Sequence, residues 1–284
     1  MGRRRSFRGK YGVLLVLLLA SGLLLVGIKG GTALWNLLWS GGRGEVKITR
    51  LPEPEIPAPP LKAEPPRVAI IIDDLGGSFR PAQAFMDLGH PLTLSILPQL
   101  TFSKKIAEEA HRRGYEVLLH LPLEPYDYPE KNPGKGAILA KMSFLEVKQR
   151  FLEDLESVPY AVGLNNHMGS KLTEDAEVMK AILEEAKRRN LFFIDSLTTG
   201  RSIALGVARE LGLPAEGRQV FLDNVAEKEY IKSQILLLAE AAKDRGSAIG
   251  IAHPHKATIE ALREAIPEIQ GQGVKLVLAS ELVK

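Results

Sequence analysis

The chain has 284 residues, 45% of them hydrophobic, with 37 basic and 34 acidic side chains and no cysteine. Five of the basic residues, Arg3, Arg4, Arg5, Arg8 and Lys10, fall within the first ten positions, so the rest of the chain is slightly acidic and offers no basic face for nucleic acid. The lack of cysteine excludes a disulfide framework or a thiolate centre, and the length suits one sizeable domain or two small ones.

Basic residues 1–11 lead into an apolar stretch that is uncharged over 12–28 and resumes beyond Lys29 through Trp35 and Trp39. About 20 apolar residues suffice to cross a bilayer. Segment 12–39 is therefore expected to be an uncleaved signal anchor, its basic flank cytoplasmic. The bulk of the chain would then be extracytoplasmic, in the periplasm or at the cell surface. Residues 40–66 are expected to form a linker. Its second part, "RLPEPEIPAPPLKAEPP", holds seven of the eighteen prolines and reads as a polyproline II spacer. The folded domain is expected at 67–284.

Within that domain apolar runs alternate with amphipathic stretches. Strands are predicted at 68–72, 92–97, 116–121, 160–164, 191–194, 219–222, 247–252 and 274–278. Helices are predicted at 80–88, 103–113, 143–155, 175–189, 202–211, 226–243 and 258–269. Strand–helix alternation with short connections implies a parallel sheet, and seven or eight repeats suggest a closed or nearly closed α/β barrel. An open doubly wound sheet is the second choice. No glycine-rich phosphate loop follows the first strand, so a dinucleotide domain is not expected.

In such barrels the active site forms at the C-terminal ends of the strands. There the sequence places Asp73 and Asp74, His120 and Glu124, Asn165, Asn166 and His167, Asp195, Ser196 and Thr198, Asp223 and Asn224, and His253 and His255. Each group alone is also ordinary turn or cap chemistry. Together they bring aspartates and four of the six histidines to one mouth of the barrel. That donor set suits a borderline divalent cation such as zinc, which would also offset the repulsion between Asp73 and Asp74. Successive strand residues point to opposite faces. One aspartate would then bind metal while its neighbour faces a water as general base, with an imidazole across the site as acid.

The motifs "IIIDDLGG", "LLHLPLEP", "GLNNHMGS", "FFIDSLTT" and "GIAHPH" together resemble the divergent polysaccharide deacetylase family, an outlying branch of the nodulation-protein-B-like carbohydrate esterases. The resemblance covers 67–284. It implies a distorted (β/α)7-8 barrel with a divalent metal. In that pattern Asp73 matches the catalytic base, Asp74 the metal-binding aspartate, His120 the first histidine of an H-x-x-x-H motif and His253 the general acid. The second histidine of the motif is replaced by Glu124, a fourth candidate metal ligand, and His167 on strand four is the other source of an imidazole. Asp195 is expected to orient the catalytic groups.

The predicted domain has no tryptophan on which a sugar could stack, which leaves Tyr126 and Tyr128 in the 125–142 loop as candidates. Asn165, Asn166 and His255 complete the expected substrate contacts. The leading expectation is metal-dependent deacetylation of a cell-envelope glycan, with the membrane engaged by the N-terminal helix. A non-catalytic envelope scaffold on the same barrel is a second reading. A metal hydrolase of a non-glycan amide or ester is a third.

Overall fold

A computed structural model describes residues 64–284; the anchor expected at 12–39 and the linker up to residue 63 lie outside the described residues. Among the described residues no helix is long and apolar enough to cross a membrane.

The first strand, β1 (Arg67–Leu75), is buried along nearly its whole length. That is what an unbroken apolar run predicts for a strand covered on both faces. It pairs with β8 (Ser247–Ala252) along one edge. Its other edge is shared, with β9 (Lys275–Val277) against its first residues and β2 (Thr93–Ile96) against its last. Next come β3 (Glu116–Leu123), β4 (Ala161–Met168), β5 (Phe192–Asp195) and β6 (Ala215–Gly217), while β7 (Val220–Phe221) extends the sheet beyond β8. Every pairing is parallel. The helices are α1 (Phe79–Met86), α2 (Ser103–Arg112), α3 (Phe144–Ser157), α4 (Ala176–Arg188), α5 (Ala204–Glu210), α6 (Lys228–Arg245) and α7 (Lys256–Gly271).

The expected closed or nearly closed barrel is found in part: the parallel sheet curls, but its edges, β6 and β7, do not pair. Only Arg218 and Gln219 separate these two strands. Parallel neighbours need a crossover of a dozen or more residues, so they cannot be adjacent partners. The strand expected at 219–222 is the short β7, and β6, on the opposite edge, is not among the expected strands. Backbone and side-chain bonds bridge the seam. Arg218 N donates to Asp195 O at 3.0 Å, Gln219 N to Ile249 O at 2.9 Å, and Ile249 N to Gln219 Oε1 at 2.5 Å.

Strand alternation divides the core. Val68, Ile70 and Ile72 join the large cluster packed against the helices. Ala69, Ile71, Leu118, Phe192, Ile194, Ile249 and Ile251 form a smaller second cluster, inside the curl of the sheet. The site is the upward continuation of these inner rows: Ala69–Ile71 leads to Asp73, Leu118 to His120, and Ile249–Ile251 to His253. On β4 the row is Gly163, Asn165, His167. A Cβ on Gly163 would lie 2.8–2.9 Å from the Phe192 ring. Gly163→Ala should destabilise the domain by about 1–3 kcal/mol through overpacking, read from chemical denaturation.

One buried carboxyl lies outside the inner rows. Asp154 on α3 is fully buried. Burial pushes it up to about 8, against the hydrogen bond from Gln99 that favours its charged form. The folded state thus holds a proton that the unfolded chain releases near pH 4. Its stabilising contribution is complete below pH 4 and is lost as pH rises to about 8. Asp154→Asn should remove this slope, so that the variant gains on the wild type between pH 5 and pH 8 in urea denaturation. An unchanged difference across that range would contradict a titrating Asp154.

Candidate metal centre

The two aspartates do not point opposite ways, as regular strand geometry requires. Asp74 adopts φ +56°, and the β1–β2 register slips between Ile72 and Leu75. This bulge returns the Asp74 carboxylate to the same side as Asp73, a known use of bulges at sites. Both reach His120 Nε2, Asp74 Oδ1 at 3.1 Å and Asp73 Oδ2 at 3.6 Å.

Three donors converge. Asp74 Oδ1 lies 3.1 Å from His120 Nε2 and 2.9 Å from His167 Nδ1, and the two nitrogens are 3.2 Å apart. Ligands about 2.0–2.2 Å from one zinc ion stand roughly 3.3 Å from each other in a tetrahedron, so the spacing fits a shared cation. The tautomer fits too. His120 Nδ1 donates to Asn165 Oδ1 at 2.8 Å, which leaves Nε2, the nitrogen facing Asp74, as the one a cation would take on displacing its proton. Asn165 is itself fixed, accepting from Ser95 Oγ at 2.6 Å and donating to Asp73 Oδ1 at 2.8 Å and Ser196 Oγ at 3.2 Å. One buried amide thus orients both the candidate ligand His120 and Asp73.

The charges support one another. Burial would raise Asp74, but bonds to His120 and His167 outweigh it and hold its carboxyl far below the usual range. Burial would lower His120, but the anions Asp73 and Asp74 hold it above the usual imidazole value. A cation at this point would take over that role and release the proton.

Across the pocket stands His253. Its Nδ1 donates to Asp223 Oδ1 at 2.9 Å, and its Nε2 is 4.0 Å from Asp74 Oδ2. Asp223 Oδ2 accepts from His253 N at 2.6 Å and Thr258 Oγ1 at 3.0 Å. Burial pulls His253 down, yet Asp223, Asp73 and Asp74 raise it to about 9. Phe221 stacks on the imidazole at 5.4 Å, and the Arg218 guanidinium covers the Phe221 ring at 4.3 Å. Arg218 also donates to Ser196 O at 2.7 Å and Leu197 O at 3.0 Å. The site pocket, about 300 Å³, is lined by Asp74, Asp127, Lys131, His167, Phe221 and His253 among others.

Several expected members stand elsewhere. Glu124 does not join the donors: its Oε1 meets Lys171 Nζ at 2.5 Å and its Oε2 accepts from Ala140 N at 2.7 Å, which pins the 125–142 loop. Asp195 follows inward Ile194 and so faces the other way. It caps its own loop, accepting from Leu197 N at 2.8 Å and Ser202 Oγ at 2.6 Å. Asn166 binds Ser196 N and Met168 O and, like Asn165, is buried away from any substrate. His255 is the exposed residue preceding α7.

Tyr126 is about half exposed, 49%, and Arg201 covers one face of its ring at 5.3 Å. Its hydroxyl donates to Glu174 at 2.5 Å. Tyr128 lines a different groove. Asp127 and Lys131, on the same loop, line the pocket instead. Sequence reasoning noticed Asp223 at its strand end but gave it no role. Ser95, Arg218 and Phe221 carried no motif; only the inward row of β2 hints at Ser95.

Comparisons with known proteins bear on the family and the fold. The family model described as divergent polysaccharide deacetylase matches residues 70–283. The chain is 36% identical over 220 residues to the uncharacterized protein YibQ of Escherichia coli (strain K12), covering 76% of this chain and 67% of that one. It is similar to the crystal structure of the uncharacterized protein ATU2773 from Agrobacterium tumefaciens C58, with a TM-score of 0.74 and 27% identity over 79% of this chain and 92% of the other. The peptidoglycan N-acetylglucosamine deacetylase Bc1960 shares the fold, with a TM-score of 0.50 and 15% identity over 76% of this chain and 87% of that one. The chain therefore belongs to the divergent polysaccharide deacetylase family.

Proposed function

We propose that this protein removes acetyl groups from a cell-envelope polysaccharide with the help of a divalent cation, zinc by the character of its donors. The observation that carries this reading is the convergence of Asp74, His120 and His167 beside Asp73 and opposite His253. Those three residues would hold the cation, which supplies Lewis acidity toward an acetyl carbonyl and a water molecule. Asp73 Oδ2, whose nearest imidazole nitrogen is 3.6 Å away, would accept the water's proton. His253, its Nδ1 bound to Asp223, would deliver a proton from Nε2 to the leaving amine or alcohol. Phe221 is stacked on His253 and covered by Arg218, so within this pocket the sugar would be held by hydrogen bonds with Asp127, Lys131 and Thr198.

The N-terminal segment supports a place for the chemistry. A signal anchor at 12–39 would tether the domain at 67–284 outside the membrane, next to envelope glycans, through the proline-rich linker at 40–66. The test is to purify the full chain, measure bound metal and follow acetate release from N- and O-acetylated glycans. Stoichiometric metal with acetate release that chelation abolishes is expected. Absence of bound metal, or metal without acetate from any glycan, would overturn the activity. Protease protection in vesicles would check the topology.

A further inference from the structure

The 125–142 loop faces two ways. Asp127 and Lys131 look into the metal-centre pocket, whereas Tyr128, Asn132 and Lys135 line a second groove of about 480 Å³, with Gln99 and Arg150 completing its polar lining. That volume lies within the usual range for a small-ligand site.

The groove has features that packing alone does not explain. Among the described residues, only two buried side-chain atoms lack a hydrogen-bond partner, Arg150 Nε and Asp154 Oδ2. Arg150 lines this groove, and Asp154 lies directly beneath it. Asp154 Oδ1 would stand 2.3 Å from a Cβ on Gly136, another lining residue. Unpaired buried polar atoms are rare and call for a cause. The anion nearest Arg150 Nε is Glu153 at 3.3 Å, outside hydrogen-bond geometry.

Gln99 is held in a strained left-handed conformation, φ +56°. Its backbone N–H donates to Ser157 Oγ at 2.9 Å and its Nε2 to Asp154 Oδ1 at 2.6 Å, which leaves Oε1 without a donor among the described residues. Lys135 is exposed and pairs with no carboxylate among the described residues. Two cations, two primary amides and one aromatic ring thus edge a single groove. Such a set can hold an anion by charge-assisted bonds, hydroxyls by amides and a sugar ring by its apolar face.

We propose that this groove binds an acidic saccharide unit, its anionic group taken by Arg150 and Lys135, its hydroxyls by Gln99 and Asn132, and its ring by Tyr128. The inference rests on the glycan reading above and adds to it that the polymer carries negative charge. The loop shared by the two sites would let one chain occupy both.

The full chain is titrated by calorimetry with glucuronic acid, N-acetylmuramic acid and glucose 6-phosphate, with N-acetylglucosamine and inorganic phosphate alongside. Acidic sugars are expected to bind, and neutral N-acetylglucosamine roughly ten-fold more weakly or worse. The carboxylated and phosphorylated arms tell which anion is preferred. Arg150→Met should weaken binding by roughly ten-fold or more, and Lys135→Met, on the exposed loop where folding is not at stake, by about three-fold or more. Asp74→Asn should leave it unchanged. No binding of acidic sugars, binding indifferent to both cation variants, binding of inorganic phosphate as tight as the sugars, or loss of binding in Asp74→Asn would each overturn the proposal. A chain that binds acidic sugars through Arg150 but releases no acetate upholds the groove and overturns only the deacetylase activity.

Discussion

Asp73→Asn should abolish acetate release while leaving bound metal at the wild-type level. The substitution keeps the size and shape of the side chain. Its amide oxygen can still accept from Asn165 Nδ2, which now lies 2.8 Å from Asp73 Oδ1. What is lost is basicity. A positioned general base typically contributes about 10²–10⁴ in rate, so kcat should fall by about that factor. Asp74, His120 and His167 remain, so metal stoichiometry should not change. In the metal-free variant the repulsion from Asp74 and the attraction to His120 and His253 are lost together, so the melting temperature is read beside the metal content. Measured together, kcat, metal content and melting temperature separate a base from a ligand. Activity within about ten-fold of wild type would remove Asp73 as base. Loss of metal would mean that it is a ligand.

Much of this site was readable before any coordinates, and the reason is periodicity. Buried parallel strands announce themselves as apolar runs, and their ends fix where polar residues gather. Asp73, His120, His167 and His253 could therefore be assigned to one mouth from the linear order. Local backbone events and long-range pairings were not readable. Nothing in "IIIDDLGG" foretells that Asp74 takes a left-handed conformation and swings beside Asp73. Alternation alone predicts the opposite. Glu124 looked like a ligand because it sits four residues after His120. Its partner Lys171, which pulls it out of the site, is 47 residues further on. Asp195 was expected to orient the catalytic groups, although the alternation that placed His120 inward also turns Asp195 outward from Ile194. Gln219 reads as the start of a strand and β6, just before the seam, goes unread, because the apolar pattern does not record a jump between sheet edges. Arg218 itself lies in no motif and reaches His253 only through the Phe221 ring.

The proposed metal ligands can be told from their supports by the size of their losses. Asp74→Asn preserves shape and removes the one anion that both imidazoles face. Zinc affinity should fall by well over the roughly 10–100-fold that an orienting residue costs. Asn165→Ala is the measure of that lesser effect. It frees the His120 ring, whose Nδ1 now donates to Asn165 Oδ1, without touching a donor atom, and should cost about 10–100-fold. Glu124→Gln should leave affinity within about three-fold, because Glu124 binds Lys171 and Ala140 N instead of the converging donors, although the loop it pins should loosen. The same ranking should appear in stability. Zinc at about 100 times its dissociation constant should add about 2.7 kcal/mol to the wild type, and close to nothing to Asp74→Asn at the same concentration. A zinc-induced gain that survives Asp74→Asn but disappears in Glu124→Gln would relocate the centre to the other end of the "HLPLE" segment. Equal losses in all three variants would mean that affinity tracks general destabilisation and not ligation, so the three must be compared at matched fractions folded.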